Sequence, residues 1–214
     1  MARLPVFFLT LLLGLALAQN PQQTLDELFS RYSSGGFSAR ISGKVAAPVG
    51  GVQNIDLMIR AAPGEQIIRV DFLAPGAVAD NAFVITPDKA YNYLFVTNQV
   101  IESAPEGARV EGLGFRIENF DNPQDFTSQQ MTWSESPTPE GGKIVTGTPK
   151  PGAAPEDFAR LEIELSATGS PVAVRTFAPG DRPTAELKIS ELQQRELTRE
   201  ELLKFPPDAQ RIVR

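Results

Sequence analysis

The chain contains neither histidine nor cysteine, and this composition limits the chemistry that it can perform. Nucleophiles activated by histidine are excluded, as are disulfide bonds and metal sites that use histidine or cysteine ligands. A lipid-modified cysteine is excluded for the same reason. We therefore assign no catalytic residue, no metal and no cofactor, and expect a protein that is not an enzyme.

Carboxylates are the remaining groups with catalytic potential. A pair of them could hydrolyse a glycosidic bond, but Asp71, Asp88 and Glu102 occupy alternating strand positions or lie beside turns. Acids at such positions are expected to be solvated. The segment 121–125 carries two aspartates and an asparagine, yet it lacks the loop spacing and the final acidic ligand of an EF-hand calcium site.

The amino-terminal residues have the pattern of an export signal. Arg3 supplies a positive charge, residues 6–17 form a mainly apolar run, and Ala16-Leu17-Ala18 is a small-x-small cleavage site. We predict cleavage after Ala18. The run is too short for a membrane span, and no later stretch approaches the roughly 20 apolar residues that a bilayer requires.

Residues 19–214 are predicted to form a single domain, because their number suits one sizeable core. The whole chain has a formal net charge of −6, and removal of the signal takes away one arginine and no acid. This sign disfavours nucleic acid and anionic membrane surfaces as partners, since both require clustered cationic residues.

One amphipathic helix is predicted directly after the signal. Asn20-Pro21 can cap and start it, Thr24-Leu25-Asp26-Glu27 offers a capping box, and Gly35-Gly36 ends it. Its apolar residues have the spacing of one helix face and are Leu25, Leu28, Phe29 and Tyr32. The helix either packs into an ordinary core or forms a lid over an apolar cavity.

Most of the remaining chain alternates between apolar and polar residues, which is the pattern of half-buried strands. Short turns separate the strands, so an antiparallel sheet is favoured over parallel βαβ units. Residues 105–130 interrupt the pattern and are predicted as short helices and loops. The predicted strands cover residues 37–45, 52–62, 65–73, 81–86, 90–96, 130–135, 142–148, 159–167, 172–178 and 184–193. Thr198-Arg199-Glu200-Glu201 is a capping box that starts a final short helix.

A sheet with one apolar face must bury that face. The pattern leaves two possibilities open: an interior filled by the chain itself, or a curved, partly open barrel whose cavity holds aliphatic chains.

Two long segments resemble the LolA superfamily of outer-membrane lipoprotein carriers. Residues 59–100 resemble its amino-terminal half, with an arginine-bearing strand, a strand that ends near a proline, and a hairpin followed by an aromatic strand. Residues 159–213 resemble its other half, including the closing pattern of a phenylalanine, prolines and a hydrophobic pair. The order of these elements carries the resemblance.

The resemblance implies a mainly β fold in which a curved antiparallel sheet forms an unclosed half-barrel around a hydrophobic cavity, covered by short helices. It implies a monomeric periplasmic carrier that binds lipoprotein acyl chains, receives them from an inner-membrane releasing complex and delivers them to an outer-membrane acceptor. Arg60 best matches the family's strand arginine that latches the lid, although Ala61-Ala62 stand where the family usually has proline. The candidate cavity residues are Leu25, Leu28, Phe29, Ile41, Ile68, Val70, Phe72, Phe83, Ile85, Leu187 and Ile189.

Two other functions remain open. One is an envelope lipid-binding sensor or regulator like the RseB proteins, which normally carry a second domain. The other is a carrier of a different envelope lipid.

Overall fold

A computed structural model describes residues 20–33, 35–47, 50–105, 131–151 and 158–214. In these ranges twelve strands form one sheet, accompanied by two α-helices and a 3-10 turn at Pro63–Glu65. The helices are α1 (Pro21–Ser33) and α2 (Arg199–Leu202). The strands are β1 (Phe37–Ala46), β2 (Val52–Ala62), β3 (Ile67–Ala74), β4 (Ala82–Ile85), β5 (Ala90–Leu94), β6 (Gln99–Ser103), β7 (Met131–Pro137), β8 (Lys143–Pro149), β9 (Arg160–Leu165), β10 (Pro171–Ala178), β11 (Arg182–Gln194) and β12 (Gln210–Val213).

The sheet has the strand order β12-β6-β5-β4-β3-β2-β1-β11-β10-β9-β8-β7. Neighbours along β1–β6 and along β7–β11 are consecutive in the chain and pair antiparallel. The long pairing of β1 with β11 unites the two halves, and β12 adds to β6 in parallel. The predicted fold, a mainly antiparallel sheet that does not close, is confirmed.

The two faces of the sheet bury different residues. Cross-strand neighbours such as Leu57 and Phe72, or Val70 and Phe83, lie on the face that we call inner. Helix α1 packs against β7–β9 on this face and also contacts the Pro63–Glu65 turn, which belongs to the other half of the sheet. The sheet must therefore curl around the inner face. Helix α2 packs on the opposite, outer face.

Helix α1 begins where the asparagine–proline pair predicted. The amide of Gln22 donates to Oδ1 of Asn20 at 3.1 Å, which satisfies one of the free donors of the first turn. Thr24, the alternative cap, lies inside the helix and donates its hydroxyl to Glu135 on β7 at 2.9 Å. Leu25 and Leu28 are buried against the sheet.

Residues 198–213, which we call the C-terminal strap, cross the outer face and end in β12. The strap starts with the predicted capping box: the Glu201 amide donates to Oγ1 of Thr198 at 3.2 Å, and the Thr198 amide donates to the Glu201 carboxylate at 3.0 Å. Leu202, the last residue of α2, is fully buried against the sheet. The strap therefore buries a second, mostly apolar cluster on the outer face.

Replacing Thr198 by alanine is expected to lower the free energy of unfolding by about 1 kcal/mol, because the Glu201 amide loses its acceptor at the start of α2. Chemical denaturation monitored by circular dichroism measures this change. The matched control is Thr97→Ala in an exposed turn between β5 and β6. Equal effects of the two substitutions would contradict a capping role for Thr198.

Two strands were not predicted, β6 and β12. Strand β6 has a charged residue, Glu102, at a buried position, which obscures the apolar–polar alternation of the strand. Strand β12 is short and pairs with β6, about 110 residues away in the sequence. Other predicted boundaries differ by a few residues. The signal with its cleavage after Ala18, and nearly all of segment 105–130, lie outside the described residues.

No helix in the described ranges is long and apolar enough to cross a bilayer.

Candidate functional site

The inner face of the first sheet half carries a continuous apolar surface. Cross-strand pairing aligns its side chains in rows, for example Ile41 with Leu57 and Leu57 with Phe72. Phe72 is 6% exposed and Phe83 is 4% exposed. The buried members of this inner cluster are Val45, Ile55, Leu57, Val70, Phe72, Phe83, Ala90, Ala185 and Leu187, and half-buried Ile41, Ile59, Ile68, Val78 and Ile85 pack against them.

A second apolar cluster joins α1 to the other half of the sheet. Leu25 and Leu28 pack against Val145 on β8 and Leu165 on β9. Half-buried Phe29, Tyr32, Trp133 and Ile163 surround them. The Tyr32 ring also meets the Phe37 ring on β1 edge to face, with centroids 5.7 Å apart. Helix α1 thus bridges the sheet halves across the inner face.

Few polar contacts fix α1 in the described part of the chain. Besides the bond from Thr24 to Glu135, Arg31 donates to the carbonyl of Thr168 at 3.2 Å, and Gln194 donates to the carbonyl of Arg31 at 2.6 Å. Each such bond contributes about 1 kcal/mol net. The helix is held mainly by its apolar face, which is the surface that an aliphatic ligand can replace.

Trp133, the single tryptophan of the chain, stands beside this helix. Its ring lies over Gly147 on the paired strand β8, where a Cβ atom would collide with it. Glycine therefore creates the space that the indole ring fills. Trp133 provides an internal fluorescence probe of the contact between α1 and the sheet.

The structure brings the predicted cavity residues to one face. Seven of them lie in the inner cluster, and the three from α1 lie in the adjoining cluster. Ile189 is half-buried and pairs with Ile41 across β1 and β11. That these side chains contact a lipid stays a prediction.

Arg60, predicted to latch the lid, lies on the outer face. It neighbours Arg69 and Ser38 in the sheet register and forms an ion pair with Asp71 on β3. Helix α1 packs on the other face, so the described contacts of Arg60 do not include it. A latch role for Arg60 stays a prediction.

The outer face of β3–β6 is covered by the C-terminal strap. Arg69 is 9% exposed and donates to the carbonyls of Leu202 and Lys204 at 3.0 and 2.8 Å. It also pairs with Asp71 at 2.8 Å and lies 5.2 Å from the Phe205 ring centroid. One guanidinium therefore ties the strap to β3.

A second ion cluster ties β12 to β6. The Glu102 carboxylate, whose side chain is 8% exposed, accepts from Lys89 and from Arg211, each at 2.8 Å. These two cations hold the pKa of Glu102 below its ordinary value, with the Lys89 hydrogen bond as the largest cause, although burial opposes the shift.

The expectation that Asp71 and Glu102 are solvated was wrong. Each accepts from two cationic side chains, and the side chain is 20% exposed for Asp71 and 8% exposed for Glu102. The expectation holds for Asp88, which is 64% exposed at its side chain. Acids that are shielded from water require cationic partners. For Asp71 the partners Arg60 and Arg69 lie nearby in the sequence, whereas Arg211, one partner of Glu102, is about 110 residues away. Within the described ranges no group of acids could hold a metal ion.

No protein-family model and no curated protein matches this sequence. Solved structures do match it. An uncharacterized conserved protein from Thermus thermophilus has a TM-score of 0.63 and 24% identity over 92% of this chain and 100% of that one. MucB in the Pseudomonas aeruginosa MucA/MucB complex has a TM-score of 0.52 and 13% identity over 87% of this chain and 61% of that chain. The LolA superfamily protein NE2245 from Nitrosomonas europaea has a TM-score of 0.44 and 12% identity over 87% of this chain and 97% of that chain.

These matches concern the fold, since all identities are below 25%. The first two share the curved sheet over most of the present chain. With a twelve-stranded unclosed sheet and few helices in its described ranges, the chain has a half-barrel fold of the kind seen in these two structures.

Proposed function

We propose that this protein binds aliphatic acyl chains on the inner face of its half-barrel and carries lipoproteins through the cell envelope to the outer membrane. The observation that carries the proposal is the continuous apolar surface of the inner cluster, bridged by an amphipathic helix with few polar ties. No catalytic group is needed for this task.

The energetics suit a carrier. Each methylene moved from water to an apolar wall gains about 0.8 kcal/mol, so about ten methylenes supply about 8 kcal/mol before the cost of opening the protein. The inner cluster is buried in this structure, and an incoming chain must replace its present contacts. Such an exchange of apolar contacts keeps binding reversible.

Helix α1 is the element that we expect to move. Its docking depends on Leu25, Leu28 and their neighbours, whose apolar contacts an acyl chain reproduces. The three hydrogen bonds that tie it within the described part of the chain are worth about 3 kcal/mol together. Displacement of the helix changes the surroundings of Trp133, because both belong to one cluster.

The test is displacement of a fluorescent fatty acid from the purified protein, combined with Trp133 emission during titration with lauric acid. We expect saturable binding and a shift in Trp133 emission. Phe72→Glu and Ile41→Glu each place a charge on the inner face and are expected to weaken binding about tenfold or more.

The matched control is Phe95→Glu, which makes the same change at a phenylalanine that is 54% exposed. It should leave binding within about twofold of the wild type, since its ring is already in water. Ile41 is half-buried, so its variant should stay folded by circular dichroism even where Phe72→Glu does not. Absence of saturable binding by the wild type would contradict the proposal and favour a filled core with a protein-binding role.

Two further parts of the proposal concern place and partners. We propose that the chain is exported, with cleavage after Ala18, and acts in the periplasm as a monomeric single domain between an inner-membrane releasing complex and an outer-membrane acceptor. The MucA/MucB complex shows a protein of this fold bound to a protein partner. A regulatory sensor is the second candidate on that ground, and a carrier of another envelope lipid is the third.

A further inference from the structure

A groove on the outer face lies apart from the proposed acyl site and borders the start of the C-terminal strap. It has a volume of about 290 Å³ and is lined by Ser38, Met58, Arg60, Glu191, Gln193 and Arg195. Ser38 pairs with Arg60 on one side and with Gln193 on the other, so these three residues form a row across β2, β1 and β11. Side chains of this row lie on the opposite face from the inner cluster.

A β-bulge shapes the groove. The register between β1 and β11 shifts between Ser38 and Arg40, where β11 carries an extra residue. Glu191 in this bulge has a φ of 51°, a left-handed conformation that is uncommon for residues other than glycine. Its carboxylate pairs with Arg40 at 3.2 Å, and Arg40 also binds Asp56 at 2.7 Å. The acid of the groove therefore has a cationic partner, which it shares with Asp56.

Arg60 has unused hydrogen-bonding capacity beside the groove. Its Nη2 donates to Asp71, a carboxylate that Arg69 shares, while its buried Nε has no hydrogen-bond partner. An unpaired buried donor costs free energy, more so in a charged group, so such a donor calls for an explanation. A ligand that draws the guanidinium toward the groove supplies the missing acceptor.

Arg195 provides the second cation, on the other side of β1. Its ion pair with Glu201 spans 3.3 Å, and both side chains are about half exposed, at 48% and 47%. An exposed pair of this kind contributes little free energy and is exchanged easily. Arg195 can therefore turn from Glu201 to another anion at small cost.

We propose that this groove binds a small oxyanion of the carboxylate or phosphate class between Arg60 and Arg195. Guanidinium groups present planar arrays of donors that match the oxygen atoms of such anions. Ser38 and Gln193 supply neutral donors along the row between them. The site does not depend on acyl binding, because the sheet separates it from the inner cluster.

Isothermal titration calorimetry of the full chain with inorganic phosphate, acetate and glycerol 3-phosphate tests the site. We expect saturable binding of at least one of these, weakened about tenfold or more by Arg60→Gln and by Arg195→Gln, since each removes a charge-assisted hydrogen bond. Arg182→Gln, at an exposed arginine that begins β11, is the matched control and should bind like the wild type.

Arg195 is half exposed, so its variant should keep its fold, as circular dichroism will check, even where Arg60→Gln does not. Stronger binding of glycerol 3-phosphate than of inorganic phosphate would identify a lipid headgroup as the source of the anion, and the reverse order a free anion; either order supports the oxyanion site. The proposal is overturned by absence of binding of all three probes, or by wild-type binding that neither substitution weakens. Fatty-acid binding by Arg195→Gln reports on the acyl site separately and should be unchanged.

Discussion

Replacing Arg69 by methionine should lower the free energy of unfolding by about 3 kcal/mol, the loss typical of a buried ion pair that keeps only one partner. Arg69 contacts the carbonyls of Leu202 and Lys204, the Asp71 carboxylate and the Phe205 ring. Methionine fills similar space but donates no hydrogen bond, so the buried carbonyl of Leu202 and the half-buried carbonyl of Lys204 lose this donor. Urea denaturation monitored by circular dichroism measures the change.

The matched control is Arg175→Met. Arg175 also lies on a strand and pairs with a carboxylate, Glu164, at 2.7 Å, but its side chain is 33% exposed. An exposed pair of this kind is worth about 1 kcal/mol or less. Equal losses in the two variants would show that Arg69 does not hold the strap. Hydrogen exchange at residues 210–213 adds a local measurement, since release of the strap exposes the amides of β12.

The contacts of Arg69 with the strap mark the limit of what the sequence could predict. Alternation in β3 correctly placed Ile68, Val70 and Phe72 on one face, because a strand has a side-chain period of two. The same alternation puts Arg69 on the opposite face, where the strap covers it and leaves it 9% exposed. A local pattern reports that a side chain is charged, whereas only the tertiary structure decides whether a distant segment neutralises and buries it.

Helix α1 also has some properties that the local sequence predicts and others that only the tertiary structure determines. Its start at Asn20-Pro21 and its buried leucines follow from capping and spacing, which are local properties. That it bridges both sheet halves follows from the pairing of β1 with β11, two strands about 150 residues apart. The sequence likewise did not determine which face Arg60 lies on, because β2 has apolar residues on both faces.

The strap also gives the outer face a dependence on acidity that the inner face lacks. The inner cluster contains apolar residues alone, so protonation does not alter it directly. On the outer face, β12 is held by backbone pairing with β6 and by the Arg211–Glu102 pair. Loss of the Glu102 charge removes part of that attachment.

Replacing Glu102 by glutamine should lower the free energy of unfolding by about 2 kcal/mol at pH 7, because an amide donor then faces Lys89 or Arg211 in a buried site. The matched control is Glu200→Gln, an exposed acid in α2, which should change stability by less than about 0.5 kcal/mol. Denaturant unfolding of wild type and both variants between pH 3 and pH 8 measures the difference. A deficit no larger than that of Glu200→Gln would show that the Glu102 cluster does not stabilise the fold.

The pH dependence follows from the direction of the pKa shift. The pKa of Glu102 in the folded protein lies below its ordinary value of 4.5, so the unfolded chain binds its proton more readily. The stabilising contribution is therefore fully present above about pH 4.5 and declines as the pH falls through the folded value. The glutamine side chain does not titrate, so the deficit of the variant should be constant near neutral pH and shrink in acid. A deficit that stays constant down to pH 3 would mean that the charge of Glu102 is not what holds β12 to β6.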